Sequence, residues 1–285
     1  MKLSDLKKDI KTRLENAGIS DAESETRIIL TEYANVTLSD MFADPDKDIT
    51  GADVLSRIED VITRRCTGIP LQHITGRTGF MGFDFKVTPA ALVPRPDTEI
   101  LAEEALKDYH DGSRILDLCT GSGCIIISLL ALMNDCDGVG TDISEDALKL
   151  ASENADLILG EKRDRLKLLK GDLYDALQAD DMFEVIVSNP PYIRTSEIET
   201  LSTEVKDHDP YIALDGGEDG LDFYRKIISG ARAHLRNGGE LLLEIGFDQA
   251  SDVTDIMKDN GFIEVQTIKD FGGNDRVVRG VLSAL

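Results

Sequence analysis

The segment Arg114-Ile115-Leu116-Asp117-Leu118-Cys119-Thr120-Gly121-Ser122-Gly123-Cys124, followed by the apolar run Ile125–Leu132, constrains the fold of this chain more than any other. An apolar strand that ends in a glycine turn and reopens as a helix is the nucleotide-binding start of a doubly wound α/β sheet. Glycine in the turn lets the backbone approach a ligand closely. A second strand, Gly138–Thr141, ends at Asp142-Ile143. That acid falls about twenty residues past the turn, where such a side chain meets ribose hydroxyls. A glycine turn is a weak signal alone; the strand-end acid at this spacing strengthens it.

The nucleotide class follows from what the turn lacks. A dinucleotide fingerprint places a third Gly or Ala three residues after Gly123, for close helix–strand packing; here that position is Ile126. The turn also carries no lysine of the phosphate-binding type. A pyrophosphate is therefore a poor fit. A ligand with ribose and adenine but no phosphate fits better, and S-adenosylmethionine is one. A third strand, 166–170, leads to Gly171-Asp172-Leu173. The Asp172 carboxylate suits an exocyclic amine and Leu173 can cover the adenine ring. Asp172 equally suits the cap of a helix starting near Leu173, and the two readings are compatible.

A fourth apolar strand, Phe183-Glu184-Val185-Ile186-Val187-Ser188, runs into Asn189-Pro190-Pro191-Tyr192. Two prolines cannot continue a strand, because each lacks an N–H and has a fixed φ. The chain therefore leaves the sheet as a rigid kink. The kink offers a carboxamide at Asn189, a bare carbonyl at Pro190 and an aromatic ring at Tyr192. Together these suit a planar NH2 group. The Asn189 oxygen and the Pro190 carbonyl each accept one N–H, and Tyr192 stacks on the plane. Read blandly, the same residues are a Pro-Pro loop after a core strand.

Taken together, Asp117-Leu-Cys-Thr-Gly-Ser-Gly, Asp142, Asp172 and Asn189-Pro-Pro-Tyr resemble the motifs of class I S-adenosylmethionine-dependent methyltransferases that act on planar nitrogens. Three further segments narrow the resemblance: Leu92-Val93-Pro94-Arg95-Pro96-Asp97-Thr98-Glu99, Ala213-Leu214-Asp215-Gly216-Gly217-Glu218-Asp219-Gly220-Leu221, and Gly273-Asn274-Asp275-Arg276-Val277. With them the chain is similar to the bacterial release factor glutamine methyltransferases (PrmC/HemK) over nearly its whole length. The Pro94–Glu99 run is the most specific of these motifs. The family usually has glycine where this chain has Cys119.

The resemblance implies a Rossmann-like sheet of seven mostly parallel strands and S-adenosylmethionine as methyl donor, with S-adenosylhomocysteine as product. It implies a glutamine side chain in class I peptide chain release factors as acceptor, modulating translation termination. The cofactor side of the site would comprise Asp117, Cys119, Thr120, Gly121, Ser122, Gly123, Asp142, Ile143, Asp172, Leu173 and Asn189. Asn189, Pro190, Pro191 and Tyr192 would meet the substrate amide, with Asn189, Pro190 and Tyr192 carrying the chemistry. The N-terminal segment would contact the release factor.

Composition limits the alternatives. Apolar residues make up 41% of the 285, enough for a real core. No apolar stretch reaches the length of about eighteen residues that a membrane span needs, and the charged N-terminus lacks a signal core. The four cysteines (Cys66, Cys119, Cys124, Cys136) show no metal spacing and read as free thiols of a reducing cytosol. His73, His110, His208 and His234 are scattered, so no metal site is expected. The net charge of −23, from 31 basic and 54 acidic residues, argues against a nucleic-acid substrate, which needs a basic footprint, and for a protein one. An acidic surface shared with a whole acidic proteome would look the same.

Along the chain, residues 1–68 read as helical. Leu3, Leu6, Ile10 and Leu14 form one apolar face, Ser20 or Asp21 suits the cap of a second helix, and Leu38 with Met41 suggests a third. Val54, Ile58, Val61 and Ile62 mark a fourth. This bundle reads as a docking domain or as a stabilising lid. Residues 69–90, with Phe80, Phe83, Phe85 and Val87 among glycines, read as a linking β-hairpin. Residues 91–285 form the methyltransferase domain, with strands expected at 114–118, 138–141, 166–170, 183–188, 239–244, 262–267 and 275–282. The last two read as a hairpin, so the final strand runs antiparallel. The polar, glycine-rich connection 194–220 reads as a loop that closes over substrate or as simple disorder. Three other functions compete: an amino-methyltransferase of RNA or DNA, a non-catalytic protein that keeps a cofactor pocket, and an NAD-dependent oxidoreductase, which Ile126 disfavours.

Overall fold

The computed structural model describes residues 1–107 and 110–283. In chain order the elements are α1 (Leu3–Asn16), α2 (Ala22–Ala34), α3 (Leu38–Ala43), α4 (Ala52–Cys66), α5 (Leu71–Thr75), β1 (Arg77–Phe80), β2 (Phe83–Lys86), α6 (Glu99–Lys107), β3 (Arg114–Leu118), α7 (Cys124–Leu132), β4 (Asp137–Asp142) and α8 (Glu145–Ile158). Then come β5 (Leu166–Lys170), β6 (Phe183–Ser188), α9 (Thr203–Lys206), α10 (Asp222–His234), β7 (Leu235–Glu244), α11 (Ala250–Asp259), β8 (Phe262–Lys269) and β9 (Asp275–Leu282). They form two compact units. One is Met1–Gly76 with Thr203–His208; the other is Arg77–Ser202 with Asp209–Leu285.

The first unit is helical for the reason its spacing gives. Leu3, Leu6, Ile10 and Leu14 of α1 are all buried, as are Ile58, Val61 and Ile62 of α4, and these stripes close one core with Ile29 and Leu30 of α2. Asp21 occupies the N-cap of α2 but its side chain makes no capping bond. The reciprocal cap falls instead on α3, where Thr37 and Asp40 bond each other's backbone N–H. Arg65 of α4 is buried and ion-paired to Glu25 at 2.7 Å and to Glu204 of α9. That pairing ties the Thr203–His208 stretch into the helical unit, although the sequence places it inside the polar 194–220 connection. The remainder of that connection is structured by short helical turns at Thr195–Thr200 and Tyr211–Ala213 and by a parallel bridge between Ile193 and Asp215.

The second unit holds the β1–β2 hairpin and a seven-stranded sheet in the order β5-β4-β3-β6-β7-β9-β8. β5, β4, β3, β6 and β7 pair in parallel. β3 and β6 are buried almost throughout, as central strands covered on both faces must be. β9 is antiparallel to both neighbours and lies between β7 and β8. The expected terminal hairpin is therefore present, with its second strand inserted into the sheet instead of added at the rim. β7 starts at Leu235, earlier than the expected 239. The helix α7 is apolar on every side and wholly packed from Cys124 to Leu130.

Candidate active site

The chain runs outward from β3 through β4 to β5, then returns to place β6 on the other side of β3. The crevice at the carboxyl ends of β3 and β6 is thus a topological switch point, where open α/β sheets bind ligands. A cleft of about 1100 Å³, counting its open mouth, lies there. Its walls come from the glycine turn (Cys119–Ser122), from Asp142 at the end of β4 and Ile143 beyond it, from Asp172 and Leu173 after β5, and from Asn189 and Pro191 after β6. Residues Ala90–Arg95 and Thr98 close another side.

The turn is held from below. Asp117 is fully buried and accepts the Thr120 hydroxyl at 2.6 Å. Burial pushes its pKa up to about 7. Asp117 therefore shapes the turn through Thr120. Gly123 has φ +79°, and a Cβ there would lie 2.6 Å from Ile127 and 3.1 Å from Ala151. Both backbone and space require glycine. Ile126, where a dinucleotide site has Gly or Ala, fits because Gly138 of β4 makes room for it: a Cβ on Gly138 would lie 2.8 Å from the Ile126 side chain.

Cys119 has φ +58°, the left-handed region that favours glycine. A glycine would take this conformation without a Cβ penalty. Burial, reinforced by the charges of Asp142 and Asp117, raises the pKa of its thiol, so the sulfur stays protonated and is no nucleophile.

Asp142 is braced by two backbone donors: Gly121 N–H to Oδ2 at 2.9 Å and Ser144 N–H to Oδ1 at 2.8 Å. Each carboxylate oxygen keeps a second lone pair for a ligand hydroxyl. Burial raises its pKa. Ser144 caps α8 by accepting the Ala147 N–H. Ile143 is exposed beside Asp142. Of the two readings of Asp172, the capping one is not realised: the helical turn at Leu173–Ala176 receives no cap from its side chain. Asp172 is exposed on the cleft wall. Leu173 is buried with φ +52°, and its carbonyl accepts the Thr141 hydroxyl at 3.1 Å.

The Asn189-Pro190-Pro191-Tyr192 kink starts where Ser188 Oγ donates to the Leu118 carbonyl at 2.7 Å, pinning the ends of β6 and β3 together. Asn189 Nδ2 donates to Thr98 Oγ1 at 3.2 Å. Both prolines are buried and Tyr192 is half-buried against the core. The three family-like segments converge on this kink. Gly216 lies so close that a Cβ would sit 2.7 Å from the Tyr192 Cα. Arg276 pairs with Asp97 at 3.2 Å and Asp270 at 3.1 Å. Two residues of the neighbourhood have no counterpart among the sequence candidates. Gln249 bonds the Tyr192 carbonyl, and Glu244, at the end of β7, is buried next to Thr98 and Asn189. The signal for Glu244 is a charge closing the apolar run Leu241-Leu242-Leu243; Gln249 offers none.

Known proteins resemble this chain along nearly its whole length. Residues 5–76 match the family described as PrmC N-terminal domain, and residues 96–205 the methyltransferase small domain. A release factor glutamine methyltransferase of Agrobacterium fabrum is 39% identical over 93% of this chain and 92% of its own length. That of Caulobacter vibrioides is 39% identical over 96% and 94%. Among solved structures, a methyltransferase from Pyrococcus furiosus superimposes with a TM-score of 0.55 at 19% identity, over 80% of this chain and all of that one. The last likeness is one of fold. The two close relatives, aligned nearly end to end, carry the assignment: the chain belongs to the release factor glutamine methyltransferase family.

Proposed function

We propose that this protein transfers a methyl group from S-adenosylmethionine to the side-chain amide nitrogen (N5) of the glutamine in the Gly-Gly-Gln loop of class I peptide chain release factors, leaving S-adenosylhomocysteine. The observation that carries the reading is the orientation of Asn189. Its NH2 is committed inward to Thr98, so its oxygen remains to accept an N–H from a substrate amide at the cleft. The donor set around the cleft suits the cofactor: Asp142 for a ribose diol, Asp172 for an exocyclic amine, Ile143 and Leu173 for the faces of an adenine. Ser122, Gly121 and Thr120 present turn backbone to the methionine end, past Cys119.

Bound S-adenosylmethionine supplies an electrophilic methyl on sulfur. The chain's own part is positioning and electrostatics. The lone pair of a glutamine amide is delocalised into its carbonyl. Asn189 Oδ1 and the Pro190 carbonyl accept its two N–H bonds and draw density onto nitrogen. Pro191 and Tyr192 bound the amide plane. One N–H proton leaves to water as the N–C bond forms.

The net charge of −23 speaks for a protein acceptor over a nucleic acid, which would need a basic footprint. Residues 1–68 are assigned the docking of the factor, 69–90 the linkage, and 91–285 the transfer, although the β-hairpin fills only Arg77–Lys86 and the helical unit runs on through α5 to Gly76; the match of residues 5–76 to the PrmC N-terminal domain supports the first of these. A translation factor as substrate places the reaction in the cytoplasm, and among the described residues no helix is long and apolar enough to cross a membrane. The test is methyl transfer to a purified release factor by wild type and by Asn189→Ala. Turnover should fall by about a hundredfold or more, the scale of one preorganised polar contact. Near-normal turnover would assign the amide to another group.

A further inference from the structure

The geometry points to a positioning residue behind the cleft wall: Glu244, acting through the Thr98 hydroxyl, decides which end of the Asn189 carboxamide faces the substrate. The inference rests on the reading of Asn189 as acceptor for the substrate amide.

Glu244 is the last residue of β7 and only 3% exposed, and its Oε2 has no hydrogen-bond partner among the described residues. The groups facing its carboxyl come from every neighbouring element: Thr98 and Asp97 before α6, Asn189 after β6, and Arg276 of β9. Tyr192, Tyr224 of α10 and Cys124 of α7 lie within electrostatic reach. Tyr224 spends its hydroxyl on the main-chain carbonyl of Glu244, at 3.0 Å, and not on the carboxyl. Arg276 is engaged with Asp97 and Asp270. Among the described residues Glu244 thus has no ion-pair contact, Arg276 acting on it only through its charge, and the proton donors nearest it are Thr98 and Asn189.

An ionised carboxylate only accepts. Beside it, the Thr98 O–H donates to Glu244 and the Asn189 NH2 is drawn toward the same carboxyl, while the Thr98 oxygen takes an Asn189 N–H, the bond seen at 3.2 Å. An Asn189 oxygen turned inward would instead face a buried negative charge. Ionised Glu244 therefore holds the carboxamide oxygen outward. A protonated Glu244 donates, and this ordering is lost. Burial, opposed by Thr98, Arg276 and Asn189, brings the pKa of this carboxyl up to about 7, so the change falls in the neutral range.

Two measurements test this, and one needs no acceptor. In 15N NMR of the full chain, the Asn189 side-chain NH2 should titrate with a midpoint near neutrality in wild type and lose that titration in Glu244→Gln. An Asn189 signal that does not move with pH in wild type overturns the inference. In kinetics, Glu244→Gln and Thr98→Val should lower kcat by about tenfold to a hundredfold, the scale of a misplaced contact, with KM for the release factor little changed. The rise of kcat through neutral pH should flatten in Glu244→Gln, and Thr98→Ser should recover activity lost in Thr98→Val. Full kcat with an unaltered pH profile in Glu244→Gln overturns the inference. A wild type that shows the NMR titration yet leaves the release factor unmodified overturns the proposed substrate and leaves the relay standing.

Discussion

Gln249 Nε2 donates to the main-chain carbonyl of Tyr192 at 3.0 Å, across 57 residues of chain. The same side chain donates to the Gly220 carbonyl at 3.2 Å and accepts the Gly246 N–H at 2.9 Å. One buried amide thus fastens the end of the Asn-Pro-Pro-Tyr kink to the Gly216–Gly220 loop and to the turn after β7. Removing it leaves several buried backbone groups without partners. Gln249→Ala should lower stability by about 2–4 kcal/mol, since each such group costs roughly 1–3 kcal/mol. Urea unfolding checks this, with an unchanged m-value expected.

Asp142 has a double task, bracing Gly121 and Ser144 while facing the cleft. Asp142→Ala should weaken S-adenosylmethionine binding by about 1.5–3 kcal/mol, the scale of a hydrogen bond to a charged group. Calorimetric titration measures it. An unchanged affinity would remove Asp142 from the cofactor site.

Cys119 occupies glycine's conformation at φ +58°. Cys119→Gly should therefore be tolerated, and Cys119→Val, with a branched Cβ, should lose at least ~1 kcal/mol relative to wild type, because β-branched residues tolerate the left-handed region poorly. Thermal melting of the two variants gives the order. A valine variant as stable as wild type would contradict the strain argument.

Glu244 links stability to pH. Its pKa rises from 4.5 to about 7 on folding. Between those values the folded chain keeps a proton that the unfolded chain releases, so this group's contribution falls as pH rises and is fully unfavourable above 7. Glu244→Gln lacks the effect. The stability of the variant relative to wild type should therefore improve from about pH 5 to about pH 8, by at most ~3 kcal/mol. Denaturation at both pH values reads it, and a difference of the opposite sign would contradict a buried, proton-keeping carboxyl.

What was legible in the sequence was local. β3, the glycine turn and α7 announce themselves because a buried strand, a φ-positive turn and an apolar helix follow one another without a gap, and β6 ends at two prolines that no strand accommodates. Asp142 and Asp172 were legible as strand-end acids. The layer behind the cleft was not, because it depends on strand order. Thr98, Asn189, Glu244 and Arg276 are far apart in the chain and meet only because β6, β7 and β9 are successive neighbours in the sheet. The insertion of β9 between β7 and β8 is likewise invisible to period and turn chemistry, since a hairpin reads the same at a rim as inside a sheet. The Thr203–His208 stretch joins the helical unit through an ion pair, Arg65 with Glu204, whose partners lie 139 residues apart.

The most direct test of the central claim is tandem mass spectrometry of a purified release factor after incubation with the full-length protein and S-adenosylmethionine. The account predicts the mass of one added CH2 on the side chain of the Gly-Gly-Gln glutamine and on no other residue, and none of it with Asn189→Ala. An unmodified factor, with methyl label recovered instead on bulk RNA, would contradict it.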